Sequence, residues 1–302
     1  MRVRLRSPVG TAKNVSCWVA KARVKSEPLL LSDPRRPLKR LARMTISPSP
    51  EFFRRLAAAA AAETLPRFRD GGRVMNKRAS GFDPVTEADR ATEQAIRDLI
   101  AREFPDHGIV GEEYGNSSTD SRFQWAIDPI DGTRSFISGI PLWGTLVGLL
   151  VDGTAVAGMM AQPFTRELFY ADGNGARYEG PDGNRPLSVR KVTDLSEATL
   201  CTTSPFLFDE ERLPRYQRVE QAVRLARYGT DCYAYCMLAS GNIDLVIESG
   251  LNAYDIVALI PIVRQAGGII TTWSGDRPEK GGDIIAAVTP ELHAQALELL
   301  NR

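Results

Sequence analysis

The 302-residue chain has only two histidines, His107 and His293, and four cysteines, Cys17, Cys201, Cys232 and Cys236. Two histidines are too few for a His-rich zinc site or for histidine-relay chemistry, so whatever chemistry occurs must lean on carboxylates. The cysteines show neither C-x-x-C spacing nor the density of a disulfide-built secreted domain. That pattern points to a reducing compartment and is read as cytoplasmic. Long apolar runs are also missing: the stretches around 146–151 and 256–263 fall far short of the roughly 20 residues a helix needs to cross a bilayer, and no membrane partner is expected. With 43% hydrophobic and 25% charged residues, the chain can still bury a substantial core, which excludes disorder as its overall state.

The net charge of +1 hides an asymmetry. Residues 1–43 carry twelve Lys or Arg against only Glu27 and Asp33, so everything downstream is acidic by nine charges. An acidic body argues against nucleic acid as its main partner and suits a protein that collects cations. The basic head reads as a disordered extension or an over-long gene start before Met44. An arginine-rich organellar targeting peptide and a nucleic-acid arm are the other readings. The fold is therefore sought in residues 44–302.

Ser49-Pro50-Glu51 offers an N-cap, a Pro at the first helical position and an acid in the first turn, and the alanines at 57–62 continue the helix. From Thr86, Ala88, Ala91, Ala95, Ile96, Leu99 and Ile100 recur at helical spacing until Pro105 stops the run. Short β-rich runs at 123–127, 145–151, 154–162 and 167–171 follow, with Asp152-Gly153 as a hairpin turn, and predict an antiparallel meander. Beyond about 190 the pattern alternates. Strands are predicted near Thr199, 243–247, 269–273 and 284–288, and helices near 212–226, 232–240, 255–265 and 290–300. Pro261, inside one of those helices, predicts a kink or a break.

The most informative segment is Trp125-Ala-Ile-Asp-Pro-Ile-Asp-Gly-Thr-Arg-Ser-Phe136, where Asp128 and Asp131 leave the end of an apolar strand on a turn held by Pro129 and Gly132. Two acids three residues apart at a strand end can converge on a cation. Magnesium needs oxygen ligands at about 2.0 to 2.1 Å and keeps positions for water and phosphate, so clustered carboxylates suit it better than histidine or cysteine. The Ile130 carbonyl between the two acids is a third oxygen. Asp, Pro and Gly are also ordinary turn formers, and taken alone the segment reads equally as a structural loop. Gly111-Glu112-Glu113 follows the strand-like 108–110, and Asn252-Ala-Tyr-Asp255 opens a helix, so each places an acid at an element boundary. Glu112 as a solvated loop acid and Asp255 as a partner of its helix dipole are the bland readings. In Asp83-Pro-Val-Thr-Glu-Ala-Asp89, Thr86 and Asp89 form a capping-box-like pair.

In order and wording these four segments resemble the inositol monophosphatase-like, magnesium-dependent, lithium-sensitive phosphatases, from roughly Ser49 to the C terminus. The variant wording looks most like the histidinol-phosphatase branch, which acts in histidine biosynthesis. That wording is Asn76-Lys77 with Phe82-Asp-Pro-Val-Thr-Glu-Ala-Asp-Arg90, Gly139-Ile-Pro-Leu-Trp-Gly-Thr145, Asp231-Cys-Tyr-Ala-Tyr235 and Tyr254-Asp-Ile-Val-Ala-Leu-Ile-Pro261. One departure stands out: Asn252-Ala253 occupies the place where the branch commonly carries Lys-Pro.

The resemblance implies a mixed α/β fold, a layered α-β-α-β-α sandwich of two docked subdomains, α+β over 44–188 and α/β over 189–302. It implies that Glu112, Asp128, the Ile130 carbonyl, Asp131 and Asp255 bind two or three Mg2+ ions, with Asp128 bridging. Glu112 and Thr133 would hold the attacking water, Asp89 would help orient it, Lys77 would add positive charge beside it, and the amides of Gly132 and Thr133 would hold the phosphate. Hydrolysis would proceed by direct attack of a metal-activated water. Asp231 and Glu248 fall at the family's substrate-side positions, where acids would suit the ammonium and imidazole of histidinol phosphate. Asp231 as a simple N-terminal helix acid is the other reading. The implied partners are a small phosphorylated substrate and a second copy of the chain. Alternatives within the family are inositol monophosphate, a sugar phosphate and a nucleotide 3′-phosphate; the alternative from another class is a metal-dependent scaffold without turnover.

Overall fold

In the computed structural model, apolar strand residues and amphipathic helices stack as alternating layers, described here for residues 47–70, 74–76, 84–117 and 120–302. Residues 1–43, Lys77 and Asp83, on which sequence-based expectations were placed, lie outside the described residues. All described residues belong to one compact unit. No described helix is long and apolar enough to cross a membrane.

The outer helical layer consists of α1 (Pro50–Thr64) and α2 (Glu87–Glu103). Ser49 caps α1 by accepting from the Phe52 amide, and Thr86 with Asp89 closes a reciprocal capping box on α2. Their apolar faces, Phe52, Phe53, Leu56, Ile96 and Ile100, pack on Trp125, Ile127, Val147, Leu149 and Met159 of the first sheet. After a small pair of strands, β1 (Met75–Asn76) and β2 (Pro84–Val85), this sheet comprises β3 (Gly108–Gly111), β4 (Gly115–Ser117), β5 (Phe123–Asp131), β6 (Gly144–Val151), β7 (Thr154–Gln162), β8 (Glu167–Ala171), β9 (Ala176–Gly180) and β10 (Gly183–Pro186). Its order is β10-β9-β8-β7-β6-β5-β3-β4, antiparallel throughout except for the parallel pair β3 and β5. The predicted meander is thus present and longer than its sequence signal: β9 is short, and the edge strand β10 is exposed along its whole length.

The second sheet contains β11 (Thr199–Thr202), β12 (Leu225–Tyr228), β13 (Leu245–Leu251), β14 (Ile269–Thr272) and β15 (Gly282–Ala287), in the order β12-β11-β13-β15-β14. The middle layer holds α5 (Tyr233–Ala239), the short α6 (Ala253–Ile256) and α7 (Leu259–Gln265), whose apolar residues contact both sheets. Outside the second sheet lie α4 (Arg212–Glu220) and α8 (Pro290–Leu300); α3 (Thr133–Ile137) follows β5. The five-layer α-β-α-β-α stacking agrees with the expected fold.

Two helical expectations need correction. The helix predicted over 212–226 ends at Glu220, and Leu225–Tyr228 becomes the edge strand β12, since Leu225, Arg227 and Tyr228 lack the apolar stripe a buried helical face needs. The helix predicted over 255–265 is broken between Ile256 and Leu259. Pro261 sits in the first turn of the second piece, where its missing N–H would have had no partner within that piece anyway.

The break lets the chain at Val257-Ala258 lie against the first sheet. Gly148 and Gly158 pair across β6 and β7, and a Cβ at Gly158 would stand 2.3 Å from the Ala258 carbonyl oxygen, one at Gly148 2.6 Å from the Ala258 nitrogen. The bare glycine saddle therefore sets how closely Asp255, three residues earlier, approaches the sheet. Gly158→Ala is expected to cost about 1–3 kcal/mol of stability by overpacking. It should also lower turnover more than it raises KM, since a shift of about 1 Å in a reacting group costs on the order of 10²-fold. A melting curve with steady-state kinetics checks both.

Candidate active site

Residues i and i+3 on a regular strand point to opposite faces, yet Asp128 and Asp131 converge. The register explains it: Asp128 pairs with Leu146 and Asp131 with Gly144, so three steps on β5 match two on β6. This bulge absorbs one residue and turns both carboxylates to the same side. It forms at Pro129, which has no N–H to give to the ladder, and the Pro129 carbonyl is taken by Thr145 Oγ1 at 2.8 Å. Asp128 accepts the Ile130 amide at 3.0 Å, and Thr133 Oγ1 donates to the Ile130 carbonyl at 3.0 Å. Gly132 starts α3 with φ +82°, a left-handed conformation that suits glycine, and a Cβ there would crowd the Leu142 carbonyl and the Asp231 side chain.

Asp255 joins them from the N terminus of α6. Carboxylate oxygens of Asp128, Asp131 and Asp255 all lie within 4.8 Å of one another. Asp255 also closes a capping box, accepting the Asn252 amide at 2.6 Å, so its helix-cap role and its place in the cluster coexist. Glu112, just after β3, raises the carboxyl pKa of both Asp128 and Asp255 by charge repulsion. Its loop is tied down by buried Glu93 of α2, which accepts the Glu113 amide at 2.7 Å and the Tyr114 amide at 3.2 Å.

Burial and then mutual repulsion push Asp128 and Asp131 well above the ordinary carboxylate range, and burial with the nearby Glu112 pushes Asp255 up to about 7. Packed carboxylates left at this cost fit a cation. The donor set is all oxygen, which suits a hard divalent ion such as magnesium rather than zinc.

A small recess of about 20 Å³ opens beside the cluster, lined among others by Asp131, Thr203, Asp231, Tyr235, Glu248 and Asp255. No Lys or Arg is among the described residues lining it. Asp231 stands at φ +42°, a left-handed conformation uncommon for a residue with a side chain. Its carboxylate accepts Ser135 Oγ at 3.0 Å, and the next amide, that of Cys232, donates to Asp131 at 2.7 Å. One strained residue thus links α3, the acid cluster and the recess. Burial raises the Asp231 pKa, opposed by Ser135 and the charge of Arg134. Glu248, at the last regular position of β13 before a bulge, is pushed up to about 8 by burial although Thr203 donates to it through amide and hydroxyl at 2.6 and 3.0 Å.

Of the residues singled out in the sequence, Glu112, Asp128, Ile130, Asp131, Gly132, Thr133, Asp231, Glu248 and Asp255 come together around this cluster and recess. Asp89, almost fully buried, accepts the Thr86 amide and hydroxyl at 2.7 and 2.6 Å. Lys77 lies outside the described residues. Sequence reasoning missed Glu93, Ser135, Thr203 and the Cys232 amide, all of which hold another group in place. Only Thr202-Thr203, a polar pair ending an apolar strand, carried a readable signal.

Bulged paired acids at the end of a strand, a third acid on a capped helix and a recess between two sheets define a carboxylate-based hydrolytic centre. The family profile described as the inositol monophosphatase family matches residues 47–302, and the chain belongs to that family. It is 43% identical to a bifunctional phosphatase IMPL2, chloroplastic, of Arabidopsis thaliana, over 72% of this chain and 66% of that protein, so it spans just under two thirds of that relative. It is 36% identical to a histidinol-phosphatase of Mycobacterium tuberculosis, over 82% of this chain and 96% of that one. Among solved structures, an inositol monophosphatase from Zymomonas mobilis superposes with a TM-score of 0.74 at 37% identity, covering 83% of this chain and 97% of that one. The protein is accordingly a phosphatase of the inositol monophosphatase superfamily.

Proposed function

We propose that the protein is a magnesium-dependent phosphomonoesterase that hydrolyses L-histidinol phosphate to L-histidinol and phosphate. The observation that carries the substrate is the recess itself: two carboxylates, the half-buried Asp231 and the buried Glu248, with no cation among the described lining residues. An ammonium-bearing substrate supplies the missing charge, whereas a neutral polyol leaves it unanswered. The similarity to a histidinol-phosphatase supports the same reading.

Glu112, Asp128, the Ile130 carbonyl, Asp131 and Asp255 would hold the magnesium. Bound there, the metal supplies Lewis-acid activation of water and neutralises phosphate charge. The chain's own groups do the positioning. The Thr133 hydroxyl, turned toward the Ile130 carbonyl, keeps lone pairs to orient the attacking water, with Glu112 as the acceptor for its proton and Asp89 as support behind. The amides of Gly132 and Thr133 would receive the phosphate oxygens. Lys77 would add positive charge near the entering water.

Phosphate release from histidinol phosphate and from inositol 1-phosphate, each with magnesium and with a chelator, tests the reading. The expected result is magnesium-dependent turnover with kcat/KM at least about tenfold higher for histidinol phosphate. Preference for inositol 1-phosphate would overturn it.

A further inference from the structure

The recess contains one polar group for which the fold itself supplies no use. Tyr235 on α5 is 2% exposed, and its hydroxyl is shielded from solvent without a hydrogen-bond partner among the described residues. Its neighbours along the helix, Ala234 and Cys236, are equally buried in the apolar core, where a phenylalanine would pack without leaving a hydroxyl unpaired. Yet the side chain lines the recess with Asp231 and Glu248, and the charges of Glu248, Asp131 and Asp255 bear on its phenol. A buried donor and acceptor facing a recess of carboxylates is satisfied when a ligand enters.

We infer that the Tyr235 hydroxyl is a specificity-determining contact for the substrate's ammonium group, completing with Asp231 and Glu248 a three-acceptor pocket. The inference rests on the proposed reading of the substrate. An ammonium carries three N–H donors and no acceptor. Two carboxylates take two of them, and the phenol oxygen takes the third. A hydroxyl in the ammonium's place could also donate, but would bring no charge to balance the two acids.

Tyr235→Phe removes this one oxygen and keeps the ring. Three readouts separate the outcomes. The melting temperature of the metal-free variant is expected to equal or exceed that of the parent, because the lost hydroxyl was unpaired; a clear fall would show a structural partner and overturn the inference. The rise in melting temperature caused by L-histidinol with magnesium is expected to drop to less than half; an unchanged rise would overturn it as well. Finally, the preference in kcat/KM for histidinol phosphate over its analogue lacking the amino group is expected to fall about tenfold, mainly through KM. Equal losses on both substrates, carried by kcat, would assign the hydroxyl to the reacting oxygens instead and contradict the proposal. If the parent enzyme itself shows no preference between the two esters, the substrate reading fails. If the parent prefers the ammonium ester and Tyr235→Phe keeps that preference, the inference alone fails.

Discussion

Asp128→Asn is expected to lose at least about 10³-fold in kcat/KM, on the order of 4 kcal/mol of transition-state stabilisation, while the metal-free protein becomes more stable. Asparagine keeps the oxygen that accepts the Ile130 amide, so the bulge at Pro129 has no reason to rearrange. What disappears is a buried negative charge that Asp131, Asp255 and Glu112 all repel. The pH dependence carries the same signature. A carboxyl whose folded-state pKa lies above its unfolded value binds a proton more tightly in the fold. Its stabilising contribution is fully present below about pH 4 and is lost as pH rises through the folded value, about 7 for Asp255. The metal-free parent should therefore lose stability across that window, and the variant should lose less, by melting curves taken in chelator from pH 5 to pH 8. Magnesium should raise the melting temperature of the parent most at the alkaline end, where the cluster is ionised, and should raise that of the variant little. A variant that retains activity would take Asp128 out of the metal site.

Asp231→Asn carries the second large expected effect. Removing one charge from a partly buried pair costs roughly 2–5 kcal/mol, so kcat/KM for histidinol phosphate should fall by about 10²-fold, while inositol 1-phosphate should change far less. Asparagine is the informative substitution because it tolerates the left-handed backbone at φ +42°, whereas alanine would add strain there. The Cys232 amide then stays on Asp131, and the metal site is left intact. Parallel kinetics on the two esters read this directly. Equal losses on both would make Asp231 a structural anchor for α5 rather than a selector of substrate.

Which features could be read from the chain follows from what local sequence encodes. The α1 cap at Ser49, the α2 capping box and the Asp152-Gly153 hairpin rest on contacts within four residues, and each is present. The acids were readable because they stand at element boundaries in a recognisable order. Their convergence was not, since it depends on a register slip between β5 and β6 that only the paired strand reveals. Strand β12 was hidden because its residues are mostly exposed and pair in parallel with a strand more than twenty positions earlier. The glycine saddle under Ala258 was equally invisible: Gly148 and Gly158 look like weak points in two strands until the helix break lies across them. Ser135 and Thr203 act on partners distant in sequence, and only the assembled recess gives them a role.

The most direct test of the account is the anomalous diffraction of Mn2+ in crystals of the protein soaked with manganese and L-histidinol. The expected result is density for the metal among Asp128, Asp131 and Asp255, with the histidinol ammonium against Asp231 and Glu248. Manganese bound elsewhere, or histidinol seated with its imidazole in that recess and its ammonium in solvent, would contradict it.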